Sequence, residues 1–385
     1  MRYLLAVALL LAGCSAATQP APSKPLGAAA PAPTGVSRQP AGAAGSPATG
    51  AAPSPSSLTP GAGGSAVAAS TAGAVETVRV AHVPSTLFAP LYVAVEKGYL
   101  DEQGLKARLE QVTAGQDAMA LAAQGQLDAV VGGFAAATFN AIERGLDLRV
   151  VGSMGAQPQS GFPSALMVRQ DLLDSRQVQS IADLKGKKIA IAGGMGSTGS
   201  YWVANKLREG NLGLRDVDVV NMPFPDMVTG FKANAIDAAF PPAPFTTEIL
   251  KDRSADLFGG PIRPGAAAVG MVYGPAFRRD RDAVAQRFFT ALVRGTRDLQ
   301  GDGYYSDANL QIFAKYTNLP VERLRQIDAY GFDPDMKPDT ETLLDMQRVF
   351  FDAGILTYSP PLTADKIVDE SYSRAAVERL GPYQP

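Results

Sequence analysis

The chain has 385 residues, room for two domains of ordinary size. Its net charge is −2 with 19% charged residues, so it lacks the basic footprint of a nucleic-acid binder. One cysteine and one histidine exclude an intrachain disulfide and a cysteine-based metal cluster, and they leave little basis for Ser-His-Asp or Cys-His chemistry.

The N-terminus accounts for the cysteine. Arg2 is followed by the apolar run 4-LLAVALLLAG-13, too short to span a bilayer as a mature helix. It ends in 11-LAGC-14, which resembles the lipobox of bacterial lipoproteins, a family in which the cysteine is acylated and becomes residue one. The expectation is a signal peptide over 1–13 and a lipidated Cys14; an ordinary secretory signal would also export the chain. Residues 14–75 are almost wholly Ala, Pro, Gly, Ser and Thr, a composition that cannot bury enough apolar surface to offset chain entropy. They are read as a disordered tether, reaching about 40 Å as a flexible coil.

The folded body begins near Val75. The pattern reads as strand 78–83, helix 89–104 ending at Gly104, strand 107–112, helix 116–125, strand 127–133 and helix 135–145. This alternation predicts a mainly parallel sheet covered by helices. The same order recurs from Lys187 at a constant offset of 109: Ala81 maps to Ala190, Tyr92 to Tyr201, Lys97 to Lys206 and Asp128 to Asp237. The apolar stretches 165–169 and 266–274 read as crossings between two α/β lobes, and 280–385 is helical in pattern. The expected organisation is lobe one over 76–165, lobe two over 166–268, and a return to lobe one with C-terminal helices over 269–385. Paired crossings make a natural hinge.

Four stretches in this order resemble the substrate-binding proteins of ABC importers, more narrowly the nitrate/sulfonate/taurine and thiamine-precursor (NMT1/THI5-like) group. They are 89-APLYVAVEKGYLDEQGLKARLE-110, 124-QGQLDAVVGG-133, 180-SIADLKGKKIAI-191 and 270-GMVYG-274. The resemblance implies an α/β, two-lobed periplasmic-binding-protein-like (type II) fold with a ligand in the cleft. It also implies delivery to a membrane permease driven by a cytoplasmic ATPase.

In open parallel sheets, ligands sit outside the carboxyl ends of the strands. That rule selects the loops 84–90, 113–117 and 133–138 of lobe one and 193–200, 223–227 and 241–246 of lobe two. The candidate ligand contacts are Ser85, Thr86, Leu87, Phe88, Gly115, Gln116, Gly133, Phe134, Gly196, Ser197, Thr198, Tyr201, Pro242 and Phe245. None of the loops carries Lys or Arg, while Phe88, Phe134, Met195, Tyr201, Phe224 and Phe245 line them. A neutral or singly charged, ring-containing organic molecule is therefore expected. Asp117 and Asp226 read as first-turn residues of helices, Asp128 and Asp237 as turn residues, and Trp202 and His82 as core.

The spacing Gly194-x-Gly196-x-x-Gly199 raises a dinucleotide loop, but that site needs an acid at the end of the next strand. That strand ends in Asn221 and Met222. No cofactor and no metal are expected. The expected partners are the ligand, the permease with its ATPase, and the membrane through the lipid, with the folded body a monomer. Two alternatives stay open. One is an enzyme like the thiamine-pyrimidine synthases, whose iron-binding cysteine cluster a single Cys cannot supply; the other is a surface binding or sensor protein without transport.

Overall fold

Among the described residues, short β-branched and Ala/Gly runs between helical segments form ten strands: β1 Glu76–His82, β2 Leu105–Gln111, β3 Ala129–Gly133, β4 Arg149–Ser153, β5 Met167–Arg169, β6 Lys188–Ile191, β7 Asp218–Asn221, β8 Ala238–Ala239, β9 Ala255–Leu257 and β10 Val269–Tyr273. The computed structural model describes residues 75–112 and 118–385, all within one compact unit. The proposed signal peptide, Cys14, the tether up to residue 74, and Gly115, Gln116 and Asp117 lie outside the described residues.

The strands make two five-stranded sheets with matching order, β2-β1-β3-β10-β4 and β7-β6-β8-β5-β9. In each sheet the fourth strand runs antiparallel to its neighbours: β10 against β3 and β4, β5 against β8 and β9. The chain therefore passes between the sheets twice, through 154–166 and 258–268. Helices cover both sheets, as parallel pairing requires.

The repeat read from the sequence is a repeat of register. Val80 and Ala81 face Ala129 and Val130, while Ile189 and Ala190 face Ala238 and Ala239, each residue 109 further along. At the next strand the offset grows by one, since Arg79 faces Arg108 whereas Lys188 faces Asp218. Asp128 and Asp237 do more than turn the chain. The Asp128 carboxylate accepts from the Arg79 amide at 2.7 Å, and the Asp128 amide donates back to the Arg79 carbonyl at 3.0 Å. Asp237 makes the same pair with Lys188, both bonds at 2.9 Å. Arg79 and Arg169 add guanidinium contacts to the two carboxylates.

Two strands, β4 and β9, fall outside the alternation read from the sequence. The helix expected over 89–104 stops at Glu96, because Gly98 takes a left-handed φ of 76°; a short 3₁₀ turn then ends at Gly104, also left-handed at 66°.

The core is continuous between the sheets. Phe134, Phe139 and Val150 from the first, Ile189, Tyr201 and Trp202 from the second, and Leu343, Met346, Val349 and Phe350 from helix Thr340–Asp352 form one buried cluster. That helix touches both Ala136–Glu143 and Thr198–Arg208, so it bridges the two halves beside the two crossings. Each of its four buried apolar side chains contributes about 1.5–3 kcal/mol, against about 1.5–3 kcal/mol for one charged hydrogen bond, so the four together hold it in place.

Candidate functional site

The carboxyl ends of β1, β3, β6 and β8 all point to the region where the two halves meet, and two loops touch there directly. The Thr198 hydroxyl donates to the Phe134 carbonyl at 2.8 Å, and the Ala136 amide donates to the Gly196 carbonyl at 2.8 Å. The approach depends on glycine. A Cβ on Gly133 would overlap the Thr198 hydroxyl, and one on Gly196 would come within 3.0 Å of Ala136 Cβ and 3.1 Å of Ile355.

The glycine loop 193–199 is held from inside. Gly193, Gly194 and Gly196 adopt φ of 79°, 62° and 83°. The Gly193 amide donates to Asn221 Oδ1 at 2.9 Å, the Gly194 amide to the Ile191 carbonyl at 3.0 Å, and the Gly196 amide to Ser200 Oγ at 3.0 Å. Asn221 thus occupies the strand end where a dinucleotide site needs its acid, and it closes the loop. With these amides engaged, the loop is not an open cradle for a pyrophosphate.

The candidate residues divide by what their side chains touch. Ser197 is 5% exposed and caps helix Thr198–Arg208: its hydroxyl donates to the Gly194 carbonyl at 2.8 Å and accepts from the Ser200 amide at 3.2 Å. Phe88 packs with Leu91 and Tyr92, and Phe134 lies edge-on to Phe139 at 4.9 Å; both rings are core. Thr86 is buried. Tyr201 is fully buried and turned to the bridging helix, where its hydroxyl donates to Asp345 at 3.0 Å and accepts from Arg263. Burial, with the Asp345 carboxylate beside it, pushes this hydroxyl well above its usual pKa, so it stays a donor.

Ser85, Leu87, Gly133, Pro242 and Phe245 are half-buried at the strand ends. Ser85 Oγ accepts from the Leu87 amide at 3.2 Å and keeps its own proton for another acceptor. The Leu87 carbonyl takes the Gly155 amide of the first crossing at 3.1 Å, and Pro242 bridges to Ser164 of the same crossing. Phe245 stacks on Phe224 with ring centroids 5.9 Å apart. Met195 is 44% exposed at the tip of the glycine loop.

His82 sits under the first loop as a core histidine, 6% exposed. Tyr92 donates its hydroxyl proton to the Val83 carbonyl at 3.0 Å, so His82 Nδ1, 3.0 Å from that hydroxyl, is assigned as a donor to it. Burial lowers the His82 pKa and keeps the ring neutral. Among the described residues, no group of three or more His, Cys, Asp or Glu side chains could hold a metal.

Comparison with known proteins gives a family likeness. A model of the NMT1-like family matches residues 71–254. Over that span, a little under half of the chain, the sequence is similar to the NMT1-like family. No curated protein matches the sequence. Several solved structures share the fold. The alkanesulfonate-binding protein SsuA of Xanthomonas axonopodis pv. citri, bound to MOPS, is 17% identical with a TM-score of 0.59, covering 76% of this chain and 97% of its own. The periplasmic nitrate-binding protein NrtA of Synechocystis PCC 6803 is 14% identical with a TM-score of 0.65, over 79% and 89%. A mutant of DSZB in complex with biphenyl-2-sulfinic acid is 19% identical with a TM-score of 0.52, over 79% and 99%. The chain therefore has a two-sheet, periplasmic-binding-protein-like fold, and the span matched by the family model carries β1 to β8.

Proposed function

We propose that this chain is an exported solute-binding lipoprotein that takes a small organic molecule between its two halves and hands it to an ABC importer permease. The observation that carries the reading is the duplicated sheet, which turns the strand-end loops of both halves toward one seam. Thr198 and Gly196 meet Phe134 and Ala136 there through only two hydrogen bonds. Parting these two bonds costs about 1–3 kcal/mol, since each contributes about 0.5–1.5 kcal/mol net, and the apolar contacts of the shared core add to that cost. A ligand entering from solvent then replaces those contacts, and the two crossings act as the hinge.

The ligand side is read from what the loops offer. The Phe224–Phe245 stack gives a flat apolar wall, and Ser85 gives a hydroxyl donor. The absence of Lys and Arg from the loops disfavours a multiply charged anion. A ring-bearing acid of single charge fits; the biphenyl-2-sulfinic acid held by DSZB belongs to that class. Delivery to a permease and anchoring through Cys14 rest on the family resemblance and the lipobox-like 11-LAGC-14.

Isothermal titration of the purified protein against ring-containing sulfonates and sulfinates, with nitrate and sulfate in parallel, tests this reading. Binding of a ring compound accompanied by a rise in melting temperature is expected. Tight binding of nitrate or sulfate with no response to ring compounds would overturn the ligand assignment. DSZB is a desulfurization enzyme, so the same titrations should be checked for product; catalytic turnover of a bound compound would replace the transport reading with an enzymatic one.

A further inference from the structure

The sequence run 278-RRDR-281 has no part in the cleft. In the fold it reaches the end of the first sheet opposite the strand-end loops, because β4 begins there at Arg149 and β10 ends there at Tyr273. Chain preceding Val75 joins at this same end, through the start of β1; Arg281 donates to the Thr77 carbonyl at 2.9 Å.

Three elements converge here around a cavity of about 430 Å³. Its wall holds Arg149 of β4, Arg278 and Arg279 at the end of helix Pro275–Arg279, and Lys366 of helix Ala364–Ile367. One carboxylate in the wall, Asp147, serves three guanidiniums: Arg149 at 2.7 Å, Arg278 at 3.1 Å, and Arg279. The wall itself has four cations against one carboxylate, and the nearby Asp365 and Asp369 bring the count to four against three. The Arg278 Nε is buried without a hydrogen-bond partner, and Leu146 is 40% exposed at the cavity rim. A second cavity, around Arg208, Arg263 and Arg348, has a similar make-up, but there Glu341 and Asp345 in the wall and Asp352 paired with Arg208 match the three cations one for one.

Guanidiniums crowded on one carboxylate have N–H donors left over, and their planar forks match phosphate oxygens. We propose that this basic cavity binds a phosphate group, either free or on a lipid headgroup. The cavity is distinct from the ligand cleft and lies at the same end of the first sheet as the start of β1.

The test is isothermal titration of the full chain with two probes, inorganic phosphate and dihexanoylphosphatidylglycerol below its micelle concentration. It is repeated with Arg279→Glu/Lys366→Glu, both exposed positions, and with the charge-matched control Lys106→Glu/Lys251→Glu. The expected result is binding of at least one probe, weakened about tenfold or more in the cavity variant and little changed in the control, with the affinity falling as salt rises. Response to phosphate alone assigns a free anion, and response to the lipid alone assigns a headgroup. Lys366→Gln keeps the test open if the double variant misfolds, with a smaller loss expected in the same direction. The proposal is overturned if neither probe binds, or if the cavity variant and the control bind alike.

Discussion

Replacing Gly133 by Ala probes the seam where the two halves meet. The new Cβ would overlap the Thr198 hydroxyl and lie 3.0 Å from Thr198 Cβ. Thr198 stands at the first turn of its helix and donates to the Phe134 carbonyl at 2.8 Å, so it cannot retreat without losing that bond. Overpacking of this kind costs about 1–3 kcal/mol, and the lost hydrogen bond adds about 1 kcal/mol, giving a total of about 2–4 kcal/mol. The assay is urea unfolding of the wild type, Gly133→Ala, Thr198→Ala and the double variant. Thr198→Ala alone should cost about 1 kcal/mol. Because it removes the overlapping atom, the double variant should be less destabilised than the two singles summed, by about 1–2 kcal/mol, a coupling in the range found for touching residues. Additive costs would show that Gly133 and Thr198 are not in contact, and the closed seam would be refuted.

Asp128 is buried, which pushes its carboxyl up, but hydrogen bonds from the Arg79 guanidinium and amide outweigh that and leave its pKa lowered. Its contribution to stability is therefore fully present above the unfolded value of about 3.9 and lost as pH falls through the lower folded value; Asp128→Asn should cost about 1.5–3 kcal/mol at pH 7, because the guanidiniums it leaves behind reach solvent, and should flatten the acid limb of a stability-against-pH curve. His82 is the only histidine, so its imidazole gives a single NMR titration. It should titrate below 6.5, with stability lost as pH falls from about 6.5 toward the folded value; a midpoint at or above 6.5 contradicts the buried, neutral ring. Tyr201→Phe should lower stability by about 1–3 kcal/mol in denaturant unfolding through loss of the Asp345 bond while leaving ligand affinity unchanged in titration. Asn221→Ala frees the Gly193 amide and should weaken ligand binding more than it lowers the melting temperature.

What the sequence made legible was the part of the fold that depends on residue type at fixed spacing. The register of β1 with β3 and of β6 with β8 follows the 109-residue repeat because a strand's pattern has period two, and a slip would turn Val80 or Ile189 to the wrong face. The repeat loosens at β7, where Leu214–Asp216 forms a 3₁₀ turn instead of the strand start that follows Gly104. The candidate site was legible only as a set of loops. Serine and threonine in 193–200 announce hydroxyls near a helix start, but not where those hydroxyls turn. Here the acceptors are backbone carbonyls of Gly194 and Phe134, and a carbonyl leaves no mark on residue identity. Tyr201 misled for a related reason: Tyr92 and Tyr201 occupy equivalent positions in the repeat, yet one bonds His82 and the Val83 carbonyl and the other Asp345, 144 residues away. Helix Thr340–Asp352 supplies that partner, and it has no counterpart in the repeat. This asymmetry has a mechanical consequence. A symmetric pair of lobes would open about its two crossings alone, whereas here an apolar face spanning both halves must slide or travel with one of them. Tyr201 and Asp345, with Arg263 on the second crossing, fix which half the helix follows, so the helix should move with the second sheet and the seam at Gly133 should be where the halves part.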